Sequence, residues 1–302
     1  GSAKAPKGLF EFQGLAVKTL DLASVYDGKN WDFQLEGTSD LNGTEVDVNT
    51  EITSDKGKVK YAATLTAPKG ITAKDITDHD IPGFDKVALD KIVVTSNSLV
   101  ADMEFGPKKT KGEIAAFHVG TSKKAVMAVT FDKLAFSDLV PGAAGSSLDG
   151  VAVDKLTLVI VPAKAHGLKP NDKAIPKEIA ANLKTVLDDA AKHDPTKRNY
   201  TLKAGFNFIA DLDIHKSESM SSLMSSGGLH DSKVIPVVGT ISHSMFDKTA
   251  SRADQLKGLT LSASLPDLKV PGLPKSIKIT KPVFAITETA PEALKQPKSG
   301  VK

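Results

Sequence analysis

The chain has 302 residues, long enough to bury a substantial core as one large domain or two ordinary ones. The 40% hydrophobic and 25% charged residues are typical of a globular fold, and the net charge of +3 comes from lysine, with arginine present at Arg198 and Arg252. Interleaved Lys and Asp with so little arginine exclude nucleic acid as the main partner, and the absence of cysteine excludes disulfides and thiolate metal sites.

The first third of the chain alternates between apolar and polar residues. Trp31, Phe33 and Leu35 are separated by Asp32 and Gln34, which predicts a half-buried strand. The pair Asn42-Gly43 predicts a hairpin turn after that strand, and a further strand is predicted over Val59–Leu65. This region is therefore expected to be an antiparallel meander.

One stretch then occurs twice. The segment Phe84–Val94 (FDKVALDKIVV) returns as Leu148–Leu158 (LDGVAVDKLTL). The identical columns are Asp85/Asp149, Val87/Val151, Ala88/Ala152, Asp90/Asp154 and Lys91/Lys155. Each copy follows a strand, a short connector and a Pro/Gly break, so we predict a repeated unit of strand, helical plug and strand. Weaker copies are predicted over residues 202–242 and 259–286.

One long helix is predicted between the second and third copies, over Pro176–Lys192. Pro176 suits the first helical position, and Pro195 ends the segment. An apolar stripe at helical spacing should face the sheet; its members are Ile175, Ile179, Leu183, Val186, Leu187 and Ala190. The connector Ser217–Gly228 is expected to form one or two helical turns.

The predicted fold is mainly β: an elongated, mostly antiparallel curved sheet, sandwich or half-barrel built from repeated strand–plug–strand units, with one inserted amphipathic α-helix. The expected organisation divides the chain into five parts. These are a disordered leading end (1–8), an N-terminal β region (9–164), a helical insertion (165–200), a C-terminal β region (201–289) and a disordered tail (290–302).

Signatures of catalysis are missing from the sequence. It has no Gly-x-Ser-x-Gly elbow, no phosphate-binding loop of the Walker type and no closely spaced histidine pair. We therefore expect a protein that is not an enzyme, with no catalytic residue, no metal site and no cofactor. Asp75, Asp78 and Asp80 form an acidic cluster that could bind calcium, but turn and capping roles explain these residues better.

An apolar ligand site is the one kind of site that the pattern suggests. The segment Leu156–Val161 (LTLVIV) loses its alternation, so both of its faces should be covered by the helix stripe, by other protein or by a ligand. Ordinary closure of the core is the alternative to a ligand. The candidate ligand-binding residues lie on this strand and on the two apolar connectors; they are Phe136, Leu139, Val140, Leu158, Ile160, Met220, Leu223 and Met224.

We therefore expect an exported, non-enzymatic binding protein with a groove for an apolar or amphipathic, lipid-like ligand. Long alternating strands with helical plugs resemble the tubular or taco-shaped lipid carriers in pattern. The first alternative is a structural or adhesive module that binds another protein or itself, and the second is a secreted membrane-active toxin. The expected location is secreted, periplasmic or cell-surface, and no apolar run approaches the length of a transmembrane span.

Overall fold

The structure is a computed structural model, and it describes residues 15–26, 31–41, 43–55, 58–67, 70–72, 87–95, 98–106, 108–119, 125–139, 143–145, 148–162, 165, 167–226, 234–241, 259–265 and 283–286. The chain divides into two compact units, Gly1–Val129 and Thr130–Lys302.

Unit 1 is an antiparallel meander in which each long strand pairs with the next one along the chain. The described strands lie in the order β1-β2-β3-β4-β6-β7-β8, and β5 pairs with β6 beyond the end of β4. Their bounds are β1 (Leu15–Tyr26), β2 (Trp31–Leu41), β3 (Thr44–Asp55), β4 (Lys58–Thr66), β5 (Ile71–Thr72), β6 (Ala88–Thr95), β7 (Ser98–Phe105) and β8 (Thr110–Phe117).

Alternation in unit 1 places apolar side chains on one face of the sheet. Leu35, Val48 and Leu65 are buried, whereas Glu36, Asp47 and other polar neighbours are exposed. The turn between β2 and β3 follows from its sequence. Gly43 has a φ of +89°, a conformation that glycine adopts without strain, and its N–H donates to Asp40 Oδ1 at 2.6 Å.

Unit 2 combines the remaining strands with the helices. Strand β9 (Val126–Ala135) crosses the division between the units, and the order that follows is β9-β10-β11-β12-β13-β14. The strand bounds are β10 (Ala152–Val161), β11 (Gly205–Asp213), β12 (Val234–Ile241), β13 (Leu259–Ser264) and β14 (Val283–Ile286). The helices are α1 (Phe136–Leu139), α2 (Lys177–Ala191), the 3-10 helix Pro195–Asn199 and α3 (Glu218–Ser226).

Protein covers both faces of the sheet at the centre of unit 2. Helix α2 packs on β10, β11 and β12, and all six residues of the predicted stripe are buried. The opposite face of β11 receives α1, where the rings of Phe136 and Phe208 meet edge to face with centroids 6.5 Å apart. Burying each large apolar side chain of the stripe contributes roughly 1.5–3 kcal/mol, so this packing stabilises the region substantially.

The two copies of the repeated sequence share a backbone irregularity. The pairing register shifts between Asp90 and Val93 in β6, and between Asp154 and Thr157 in β10. Lys91 and Lys155 have φ values of 43° and 50°, which are unusual for residues other than glycine. The identical Asp-Lys columns thus mark a β-bulge at the same place in both strands.

The expectation of a mainly antiparallel β fold with one long helix and short helical plugs is confirmed. The predicted cover on both faces of Leu156–Val161 is also confirmed, with α2 on one side; Ile160 is half-buried and the other five residues are buried. Helix α2 begins one residue later than predicted, because Pro176 is its N-cap. The boundaries at residues 164 and 200 stay a prediction, as do the ends 1–8 and 290–302, which lie outside the described residues along with the acidic cluster 75–80.

Candidate functional site

The predicted apolar ligand residues are largely enclosed by the protein itself. Among them, Ile160 is half-buried, Val140 lies outside the described residues, and the backbone of Leu223 belongs to α3 without a described side chain. The remaining five are at most 5% exposed; they are Phe136, Leu139, Leu158, Met220 and Met224. Their role as ligand contacts stays a prediction, and a ligand at these residues would have to displace core packing.

A cleft opens on the side of α2 that faces away from the sheet. Its volume is about 610 Å³, within the usual range for small-molecule sites. Three segments of unit 2 line it: the loop before α2, the outer face of α2, and the end of the 3-10 helix. The lining residues are Lys169, Pro170, Asn171, Lys177, Ala180, Ala181, Lys184, Leu187, Asp188, Arg198, Asn199 and Tyr200.

The two outer walls of the cleft are tied together by backbone hydrogen bonds. Leu168 and Leu202 form an antiparallel bridge, in which Leu202 N–H donates to Leu168 C=O at 2.9 Å and Gly167 N–H donates to Leu202 C=O at 3.2 Å. This bridge holds the loop 169–171 beside the segment 198–200. Both walls then face the same side of α2, although they are far apart in the sequence.

Buried Asn207 fixes the chain that leads out of the cleft. Its side-chain amide donates to the carbonyls of Val159, Lys203 and Gly205, while its Oδ1 accepts from Lys203 N–H at 2.8 Å. The Tyr200 hydroxyl lies 3.4 Å from the same Oδ1, and burial raises the pKa of Tyr200. A single buried amide therefore connects β10 to the segment that contains Tyr200 in the wall of the cleft.

The cleft is strongly cationic. Four cations line it, at Lys169, Lys177, Lys184 and Arg198, against one carboxylate, Asp188. Lys184 donates to Asp188 Oδ2 at 2.6 Å, and this hydrogen bond lowers the pKa of the Asp188 carboxyl, so Asp188 is ionised at neutral pH. Among the described residues the other three cations have no ion-pair partner. The excess of three positive charges in the cleft equals the net charge of the entire chain, so the remaining residues together carry no net charge.

Aliphatic surface lies next to these charges. Pro170, Ala180, Ala181 and Leu187 contribute carbon atoms to the lining, and the stems of the lysines add more. Lysine supplies mobile point charges and Arg198 supplies a planar fork that can bind two oxygen atoms together. The arrangement is suited to a ligand with an acidic head and a short apolar part.

A second cluster of charged groups lies on strands β9, β10 and β11. Lys133 Nζ is 3.3 Å from both Asp154 Oδ1 and Asp213 Oδ2, and Lys155 Nζ is 3.1 Å from Asp211 Oδ2. Burial raises the pKa of Asp211, while hydrogen bonds with Asp213 and then Asp154 raise that of Lys133. These groups pair with one another, and only Asp211 among them is buried, so we interpret the cluster as a structural arrangement of ion pairs.

The sequence prediction missed the cleft because each of its segments resembles an ordinary loop or solvated helix face. The outward spacing of Lys177, Ala181, Lys184 and Asp188 on α2 was the available signal, together with Arg198 as one of the scarce arginines. Within the described part of the chain, no group of three or more His, Asp or Glu residues could hold a metal ion. Nor does any helix in that part have the length and apolar character needed to cross a membrane.

Comparison of the chain with protein-family models, with curated proteins and with solved structures finds no match in any of the three.

Proposed function

We propose that this protein is a non-enzymatic, exported binding protein for an amphipathic, lipid-like ligand, and that the ligand's acidic head binds in the cleft beside α2. The observation that supports the proposal is the excess of cations in that cleft. Arg198, Lys169 and Lys177 face it without a carboxylate partner among the described residues. The proposal keeps the ligand class expected from the sequence and places the ligand's head outside the core.

Physical chemistry favours an anion at this place. Like charges gathered around one concavity raise the local positive potential, so an anion that enters gains Coulomb energy from several cations together. The neighbouring aliphatic surface of Pro170, Ala180 and Ala181 would bind the first carbons of an acyl chain. A purely ionic ligand would leave that surface uncovered, which is why we propose an amphipathic one.

The test is calorimetric titration with dihexanoyl phosphatidic acid, a short-chain lipid that stays monomeric. We expect the native protein to bind the lipid and R198Q to bind it about tenfold more weakly. The control K111Q removes the same charge at an exposed residue of β8, outside the cleft, and should leave the affinity unchanged. Added salt should weaken the native interaction. No heat with the native protein, or equal affinity in R198Q and K111Q, would contradict the proposal.

The adhesive alternative depends on a free strand edge, and the first edge of unit 1 is poorly suited to strand addition. Strand β1 pairs with β2 alone among the described strands, but Lys18 is an extra residue in a bulge between Val17 and Thr19. Bulges and lysines at a sheet edge discourage pairing with another chain. Self-association and the membrane-active alternative stay predictions, checked by light scattering and by liposome leakage.

A further inference from the structure

We propose that Asp188 is an affinity-limiting residue of the cleft: its carboxylate competes with a phosphate head group of the ligand for the Lys184 ammonium. This inference rests on the proposed function and names the ligand class, a phosphate-headed lipid. Asp188 is the single carboxylate among the lining residues, and its ion pair with Lys184 has a length of 2.6 Å.

The geometry of the pair makes it exchangeable. Lys184 and Asp188 lie four residues apart on α2, so their side chains meet on the outer face of the helix. The side chain of Lys184 is 75% exposed and that of Asp188 is 46% exposed, so neither is held by packing. Exposed pairs of this kind are weak, and an incoming dianion can replace the carboxylate without disturbing the core.

Phosphate is the head group that this arrangement favours over a carboxylate. A phosphomonoester carries close to two negative charges and three acceptor oxygens at neutral pH. It can therefore engage Lys184 and the guanidinium of Arg198 at once. Arg198 lines the same cleft as Lys184, and in addition to the Lys184 hydrogen bond it lowers the pKa of Asp188 electrostatically.

The experiment compares D188N with the native protein by titration with dihexanoyl phosphatidic acid. D188N should bind about fivefold more tightly, because the competing charge is gone while the side-chain shape is kept. The matched control is E218Q, which removes one negative charge from the exposed start of α3 outside the cleft and should leave the affinity unchanged. Inorganic phosphate should bind more weakly than the lipid in both proteins, since it lacks the acyl chains.

A double-mutant cycle separates competition from a general change of charge. K184Q should weaken binding by about tenfold in the D188N background. In the native background, where Asp188 already forms an ion pair with Lys184, it should weaken binding by only about twofold. Equal losses in the two backgrounds, or a D188N affinity no higher than native, would overturn the inference while leaving lipid binding intact. Failure of both native protein and D188N to bind would overturn the inference and the proposed function together.

Discussion

Replacing Gly150 with alanine should destabilise unit 2 through a contact between two backbone segments. Gly150 lies just before β10, in the connector of the second sequence copy, with a φ of +76°. A Cβ atom at this position would lie 2.3 Å from the carbonyl oxygen of Lys216, which precedes α3. Since the obstacle is backbone, the strand or the start of α3 would have to move.

The expected magnitude has two parts. The positive φ costs an alanine about 1–2 kcal/mol, and relief of the clash adds about 1–3 kcal/mol, as in overpacked cores. Gly167 provides the matched control: its φ is +87°, but an added Cβ would meet nothing within 4 Å. G167A should therefore show only the first part.

Urea unfolding followed by circular dichroism measures both variants. G150A should lower the midpoint of the unit 2 transition clearly further than G167A, with similar slopes. Equal losses of stability in the two variants would refute the reasoning, because a clash between the new Cβ atom and Lys216 would then contribute nothing to the free energy of unfolding.

Four further variants test the packing and the electrostatics of unit 2. L183A truncates a fully buried residue of α2 and should lower the free energy of unfolding by about 2–5 kcal/mol. T185A, on the exposed side of the same helix, should change it by less than about 0.5 kcal/mol. Equal effects of the two variants in urea unfolding would contradict the packing of α2. F136A should cost about 3–5 kcal/mol and leave lipid affinity in calorimetry unchanged, and a loss of affinity without a loss of stability would instead support the apolar site predicted from sequence. D211N should be more stable than the native protein at neutral pH: burial raises the pKa of folded Asp211 above its unfolded value, so the native protein loses stability as the pH rises through that folded pKa. The difference in thermal midpoint between D211N and the native protein should shrink on acidification. A difference that grows on acidification would contradict a raised pKa of Asp211.

The strands were predictable because alternation and turn chemistry act locally. Asn42-Gly43 separates β2 from β3, and alternation over Val59–Leu65 lies inside β4. The helix was predictable for the same reason, since its stripe repeats at the helical period. Strand β5 was not, because two residues, Ile71 and Thr72, are too few to show any period.

The identical columns of the repeated stretch describe backbone geometry. Lys155, in the left-handed region, directs its ammonium to Asp211, and the Asp149 carboxylate accepts from the N–H groups of Gly145 and Gly150. These contacts organise a bulge and a connector. The sequence could show that the residues recur, but their partners lie on other segments of the chain.

The site was hidden from sequence for a related reason. An apolar connector has the same pattern whether it lines a groove or closes a core, and the burial of Phe136, Met220 and Met224 depends on what packs over them. The cleft, in contrast, is assembled by the bridge between Leu168 and Leu202, a contact across 34 positions that leaves no local signal. In the sequence Arg198 resembles an ordinary loop residue, because nothing local shows that the bridge places it beside α2.

Hydrogen–deuterium exchange with and without dihexanoyl phosphatidic acid tests the location of the site most directly. Binding in the cleft should slow exchange in the segments 169–171, 177–188 and 198–200, and should leave α1 and α3 unchanged. Protection confined to α1 and α3, with no change along α2, would contradict the account and place the ligand among the apolar plugs.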